Sequence, residues 1–290
     1  MRKLILSIVL VISSLVAVQL VRRNNLPEAP EKAGRRLVSL APNLTSLLFG
    51  LGLGAQVVGV TTYCDDPPEA LTREKVGNFL SPNLEKILDL NPDSVLAETW
   101  SSSRTVPRLR QLGLEVLEVP TPQSLAGIRQ MIRELGEVLD NTAGANALIQ
   151  SMDARLVEIR EQAATYRWRP KVYLEIDIPS WTVGSASFTN EALEIAGFQN
   201  LFGDLAQPAP RVSSEAVIER NPDIIVSFAA TAAQIAARPG WQAISAVQRN
   251  WIIDDFPEAM LSRGNHQVAD GMRGFQERVD KLPGWTSKTP

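Results

Sequence analysis

The chain has 290 residues and a net charge of −3, with 44% hydrophobic and 21% charged residues, the ordinary balance of a globular protein. That length admits one large or two modest domains, and without a basic excess nucleic acid is a poor partner. One cysteine, Cys64, excludes an intramolecular disulfide, and one histidine, His266, argues against a carrier or enzyme built on several imidazoles.

Arg2 and Lys3 precede an uncharged apolar run from Leu4 to Val21, which Arg22 and Arg23 close. Residues 1–25 therefore read as a signal peptide or an N-terminal membrane anchor. The run is long for a signal core. Leu15 would stand at −3 if cleavage followed Ala17, and no cysteine is present to carry a lipid. An uncleaved anchor stands beside a cleaved signal. Residues 26–35, rich in Pro and charge, read as a linker. Without residues 1–25 the four basic groups are gone and the body carries −7.

Arg36–Leu40 reads as a buried first strand, and Ala41–Phe49 turns into a helix. Gly50, Gly52 and Gly54 spell G-x-G-x-G, but after a helix, so helix termination is the physical account and not a dinucleotide fingerprint. Gln56–Thr61 is a second strand that delivers Thr62–Ala70 to a loop. Strands follow at Ser94–Ala97 and Glu115–Val119, with helices around Arg104–Leu112 and Ser124–Leu139. Asn141–Tyr166 is one long helix: Leu148, Met152, Leu156, Ile159 and Ala163 recur at helical spacing, Asn141 and Thr142 supply N-cap oxygens, and Pro170 follows its end. A helix of about 24 residues within that stretch, at about 1.5 Å per residue, spans roughly 36 Å. Strands then read at Lys171–Ile176, Asp223–Phe228 and Trp251–Asp254, and a last helix runs from about His266 to Lys281. Pro283–Pro290 reads as a loose tail.

The flanks of the long helix match each other. Asn83-Leu-Glu-Lys-Ile-Leu-Asp-Leu-Asn-Pro-Asp and Ser213-Ser-Glu-Ala-Val-Ile-Glu-Arg-Asn-Pro-Asp align at an offset of 130 residues, with Glu85 on Glu215 and Asn91-Pro92-Asp93 on Asn221-Pro222-Asp223. In each copy a short amphipathic helix ends before proline and a β-branched run enters a strand. Ile87, Leu88, Val217 and Ile218 are expected to point inward and both glutamates outward. The repeat predicts a duplicated lobe.

Arg36–Leu40, Val57–Thr61, Tyr63, Pro67-Pro68 and Asn83–Asp93, with the Gly184-Ser185 loop and Ala196-Gly197 before Asn200, resemble the helix-linked class of periplasmic solute-binding proteins over Arg36–Lys281. Such proteins feed cobalamin, haem and ferric siderophores to ABC importers. The resemblance implies an α/β fold of two three-layer lobes with mainly parallel sheets, joined by one long rigid helix. It implies boundaries of 36–140 for the first lobe, 141–167 for the linking helix, 168–283 for the second lobe and 284–290 for the tail. Where relatives carry an Arg-Pro-Gly-Pro-Arg-like turn, this chain has Ser262-Arg-Gly-Asn-His-Gln267.

Open α/β sheets bind ligands beyond the carboxyl ends of their strands. That places Pro42, Tyr63, Phe79 and Trp100 of the first lobe and Trp181, Arg211, Phe256 and Arg263 of the second in a cleft suited to a large, flat, partly apolar ligand. For each aromatic, core packing is the competing reading, and Trp168 reads as structural. Asp65-Asp66 and Asp254-Asp255 read as solvated loop charges, because neighbours in extended chain point apart. With one His, one Cys and no Gly-x-Ser-x-Gly elbow around Ser185 or Ser187, no catalytic residue is expected and the chain reads as no enzyme. Neither a metal site nor a resident cofactor is expected, only a bound corrinoid or iron chelate. The leading ligand is a corrinoid, with a ferric siderophore or haem as the alternative. Arginines at Arg104, Arg211 and Arg263 would favour an acidic siderophore, aromatic walls a corrinoid. A membrane-tethered sensor or an enzyme on the same lobes is the reading from another class. The resemblance further implies a permease dimer as partner, docked through Glu85 and Glu215, and a periplasmic or extracytoplasmic location.

Overall fold

The computed structural model describes residues 34–78, 80–99, 105–178 and 180–287. The apolar run of residues 4–21 lies outside them, and among the described residues no helix is long and apolar enough to cross a membrane.

Two parallel sheets form from the β-branched runs. The first holds β1 (Leu37–Ser39), β2 (Val57–Val60), β3 (Glu74–Lys75), β4 (Ser94–Glu98) and β5 (Val116–Val119) in the order β3-β2-β1-β4-β5. The second holds β6 (Lys171–Glu175), β7 (Gln199–Asn200), β8 (Ile224–Ser227) and β9 (Ile252–Ile253) in the order β7-β6-β8-β9. The path β2-β1-β4-β5 thus repeats as β7-β6-β8-β9, as duplicated lobes require. Successive residues point to opposite faces, and both faces are covered. Leu37 and Leu96 join one core while Val38 and Val95 join another, and in the second sheet Ile224 and Val226 separate in the same way from Ile225. Helices therefore flank each sheet on both sides.

The first lobe's helices are α1 (Pro42–Gly50), α2 (Leu84–Asp89), α3 (Thr105–Gln111) and α4 (Leu125–Val138). The linking helix, α5, is continuous from Thr142 to Ala164, with the Asn141 side chain accepting from Gly144 N–H. The second lobe adds α6 (Phe188–Ile195), α7 (Ser214–Arg220), α8 (Ala232–Ala236), α9 (Ser245–Gln248), α10 (Ala259–Ser262) and α11 (Val268–Val279). Helix α5 packs on α4 of one lobe and on α6 and α11 of the other. Its buried Met152, Leu156 and Ile159 belong to a single core that also takes in strands of both sheets. Gly136 permits the close approach of α4, since a Cβ there would meet the Ala145 methyl at 2.4 Å.

The repeated Asn-Pro-Asp turns show why those residue types recur. Asn91 and Asn221 both adopt left-handed backbone, with φ of 43° and 48°, a region asparagine tolerates. The aspartate that follows ties down the start of the neighbouring strand. Asp93 Oδ2 accepts from Arg36 N–H at 2.6 Å, and Asp223 Oδ2 accepts from Lys171 N–H at 2.9 Å.

Several expectations need correction. Leu88 does not point inward: it is 39% exposed, beside buried Ile87. The edge strands β3 and β7 are too short, at two residues each, to carry a periodic signal. The tail, as far as Ser287, is docked. Trp285 packs against Trp251 and Trp168 with ring centroids 5.4 and 5.6 Å apart, and Arg167 N–H donates to Ser287 O at 2.8 Å. A large aromatic with its indole N–H satisfied, here by Asp280 Oδ1 at 3.0 Å, anchors a segment that its prolines alone would leave loose. Trp168 is structural, as expected.

Candidate functional site

The carboxyl ends of β1, β2, β4 and β5 face the α10 region of the second lobe across a cleft, and a cavity of about 510 Å³ lies between them. Pro42 and Asn43 enter it from the start of α1, Tyr63 and Asp65 from the loop after β2, Glu98 from the end of β4. Thr121 follows β5, and Glu258, Ser262 and Arg263 close the other side. Tyr63 is 56% exposed at the cavity. Glu98 is the opposite case, nine-tenths buried at the cavity wall. Its Oε1 accepts from Asn43 Nδ2 at 2.8 Å and from Thr121 Oγ1 at 3.3 Å. Among the described residues the cavity lining is acidic: Asp65, Glu98 and Glu258 outnumber one cation, Arg263.

Arg263 also joins the lobes. Its Nη2 donates to Asp65 Oδ1 at 2.8 Å, and its Nη1 stands 3.7 Å from Asp66 Oδ2. Gln267 Nε2 donates to Asp66 as well. Fully buried Asn265 donates to Asn43 O at 3.1 Å and to Ser46 Oγ at 2.6 Å. The Ser262–Gln267 turn therefore stitches the second lobe to α1 and to the loop after β2. On the same seam, Glu191 in the first turn of α6 accepts from Leu125 N–H at 2.7 Å. Asp65 is exposed and Asp66 half-buried, and both are also partnered across the lobes. Asp254 and Asp255 are exposed loop charges with partners as well: Asp254 accepts from Ala232 N–H at the start of α8, and Arg278 holds the Asp255 carboxyl below the usual carboxylate range.

His266 sits in this seam with its ring over Gly50 and its Nδ1 buried without a partner. Burial pushes its pKa down to about 4, with Arg155 acting in the same direction and Asp270 and Asp66 against it. It lines a separate cavity with Phe49, Arg73 and Gln267, not the cleft. Cys64 is wholly buried between the Thr45 and Thr61 hydroxyls, each 3.1 Å away, and is closed to any ligand.

Of the eight residues expected around the ligand, Pro42, Tyr63 and Arg263 come together in the cavity. Phe79, Trp100 and neighbouring Arg104 lie outside the described residues. Trp181 and Arg211 pair with each other through a backbone bridge and are exposed, but they do not line the cavity. Phe256 turns into the core, 5.9 Å from the Phe275 ring of α11. An aromatic just past a strand end goes to the cleft or to the core according to the packing around it, which no local pattern announces. Glu98 was missed, although its place as the last residue of β4 is the signal that marks a cleft residue. Among the described residues no cluster of three or more His, Cys, Asp or Glu side chains is placed to hold a metal ion.

A family model described as periplasmic binding protein matches residues 37–259. The chain is 32% identical over 257 residues to an uncharacterized ABC transporter substrate-binding lipoprotein of Bacillus subtilis, YvrC, covering 86% of this chain and 81% of that one. It is 32% identical over 221 residues to the vitamin B12-binding protein of Vibrio cholerae, covering 75% of this chain and 79% of the relative. A solved structure of a possible iron-binding, periplasmic solute-binding protein of Staphylococcus epidermidis superposes with a TM-score of 0.77 at 26% identity, covering 86% of this chain and 100% of that one.

Proposed function

This chain belongs to the periplasmic binding protein family, as a helix-linked solute-binding protein of an ABC transporter, and from that premise we propose that its solute is a corrinoid such as cobalamin. The observation that carries the reading is the charge of the cleft. Among the described residues three carboxylates and one arginine, itself paired with Asp65, face a space of about 510 Å³. An acidic ferric siderophore or the two propionates of haem would meet repulsion there. A macrocycle edged with carboxamides would instead donate N–H groups to Asp65, Glu98 and Glu258 while its flat faces rest on Tyr63 and Pro42. The vitamin B12-binding relative adds weight to the same choice.

One observation favours the haem or ferric reading. The exposed Tyr63 phenol at the cavity is of a type that ligates ferric iron. Replacing Tyr63 separates the two. Tyr63→Phe keeps the apolar face and removes the phenol oxygen, so it spares corrinoid affinity and destroys ferric ligation. Tyr63→Ala weakens a corrinoid by about 1–3 kcal/mol through lost stacking. Tryptophan quenching on titration reads both variants. Loss of binding in Tyr63→Phe contradicts the corrinoid reading.

Transfer to the membrane completes the proposal. Glu85 and Glu215 stand exposed in the first turns of α2 and α7, one per lobe, each one residue inside a helix whose N-cap side chain (Asn83, Ser213) accepts a backbone N–H. The Glu215 backbone amide and the Ser213 hydroxyl hold the Glu215 carboxyl below its usual range. Helix-end stabilisation accounts for each glutamate singly. Their shared place in the duplicated lobes supports docking onto arginines of a twofold permease, steering encounter and fixing register. Residues 1–25 would export the chain and either be cleaved or remain as its anchor, in keeping with a site of action outside the cytoplasm. A sensor or enzyme on these lobes has no corresponding observation in its favour.

A further inference from the structure

A second cavity opens beside the first, and its chemistry is different. It holds about 200 Å³ and is walled by Leu174, Ile176, Val183, Phe188, Phe228 and Leu261 of the second lobe. Most are apolar residues at or just beyond the carboxyl ends of β6 and β8, or on the first turn of α6 and in α10. Thr121 and Ser262 line both cavities, so the two adjoin. Two of the polar side chains on the walls are already engaged: the Ser187 hydroxyl accepts from Thr189 N–H at 3.1 Å, and Thr189 Oγ1 donates to Leu261 O at 2.9 Å. Beside an acidic main cavity stands an apolar annex.

Space of this kind has a defined preference. A cavity of roughly 150 Å³ lined by Leu, Ile and Phe stays dry and takes up benzene. One somewhat larger, with a few polar atoms at its mouth, accommodates one or two fused rings. We propose that the annex receives a one- or two-ring aromatic group carried by the same ligand whose polar body fills the main cavity. It is thus a specificity site that distinguishes ligands bearing such a group from those lacking it. The identity of the body rests on the corrinoid reading; the annex itself rests on its walls and on the shared Thr121 and Ser262.

Pro208 and Ala209 form the exposed rim of the annex, so a large side chain there fills it without opening the core. The test compares cobalamin, which carries a dimethylbenzimidazole, with cobinamide, which lacks it. Ala209→Trp is expected to weaken cobalamin by about tenfold or more, the loss of one buried aromatic group, and to leave cobinamide unchanged. Pro208→Trp repeats the test from a neighbouring position, with far-UV circular dichroism reporting the fold of each variant. Equal weakening of both corrinoids, or of neither, overturns the proposal. A second arm needs no corrinoid: saturation-transfer NMR with free dimethylbenzimidazole is expected to show contact in the parent chain and none in Ala209→Trp. Absence of contact in the parent chain overturns the annex. If neither corrinoid binds while the free base still does, the corrinoid reading falls and the annex stands.

Discussion

Asn265→Ala tests whether the Ser262–Gln267 turn holds the lobes together. The side chain is fully buried and makes three hydrogen bonds. Nδ2 donates to Asn43 O at 3.1 Å and to Ser46 Oγ at 2.6 Å, and Oδ1 accepts from Gln267 N–H at 2.9 Å. Each bond contributes about 1 kcal/mol net, and a buried partner left unpaired costs about 1–3 kcal/mol. The Asn43 carbonyl retains the Ser46 hydroxyl at 3.2 Å, which limits its share of the loss. The Gln267 amide loses the Asn265 Oδ1 acceptor and takes the larger share. The sum is about 3 kcal/mol, equivalent to a fall in Tm of about 6–12 °C for a domain of this size. Thermal unfolding followed by far-UV circular dichroism measures it, with surface Gln130→Ala as the control, expected within about 0.5 kcal/mol of the parent. A decrease of less than about 2 °C in Asn265→Ala would refute the stitched seam.

Three further outcomes follow from the same geometry. Glu85→Ala combined with Glu215→Ala is expected to preserve fold and ligand affinity and to depress transport in cells, most visibly at low ionic strength; full transport by the double variant leaves helix-end stabilisation as the whole account of both residues. His266 has a folded pKa of about 4 against an ordinary 6.5, so the unfolded chain binds the extra proton between those values. Its contribution is therefore intact above about pH 6.5 and lost as pH falls toward 4, by at most about 3 kcal/mol. Urea midpoints at pH 7 and 4.5 should fall further in the parent than in His266→Gln, and equal falls would contradict this. Ligand binding is expected to change the lobe angle little, because α5 runs unbroken through one core shared by both sheets; a large drop in radius of gyration by solution scattering would contradict it.

How much of this was legible in the sequence depended on the kind of signal. The linking helix was readable because Met152, Leu156 and Ile159 repeat at helical spacing, and the helix is bounded by an Asn cap and a following proline. The duplicated lobes were readable because Asn-Pro-Asp serves the same backbone purpose twice, tying Arg36 and Lys171 at the two strand starts. Contacts between distant segments carry no such periodicity. Nothing local to Asp65 announces Arg263, 198 positions away, and nothing local to Asn265 announces Ser46. Among the aromatics, Tyr63 reached the cavity while Phe256 turned into the core, a choice made by neighbouring packing. The annex is likewise a product of packing, since its walls come from seven separate segments of both lobes.

The central claim is that the acidic cleft takes a corrinoid. Titration of the purified body of the protein with cobalamin, haem and a ferric catecholate chelate, at one ionic strength and with tryptophan quenching as the readout, tests it most directly. The cleft predicts saturable one-to-one binding of cobalamin and at least about a hundredfold weaker binding of the two anionic iron ligands, on the order of 3 kcal/mol of discrimination. Tight binding of haem or of the ferric chelate with no response to cobalamin would contradict it.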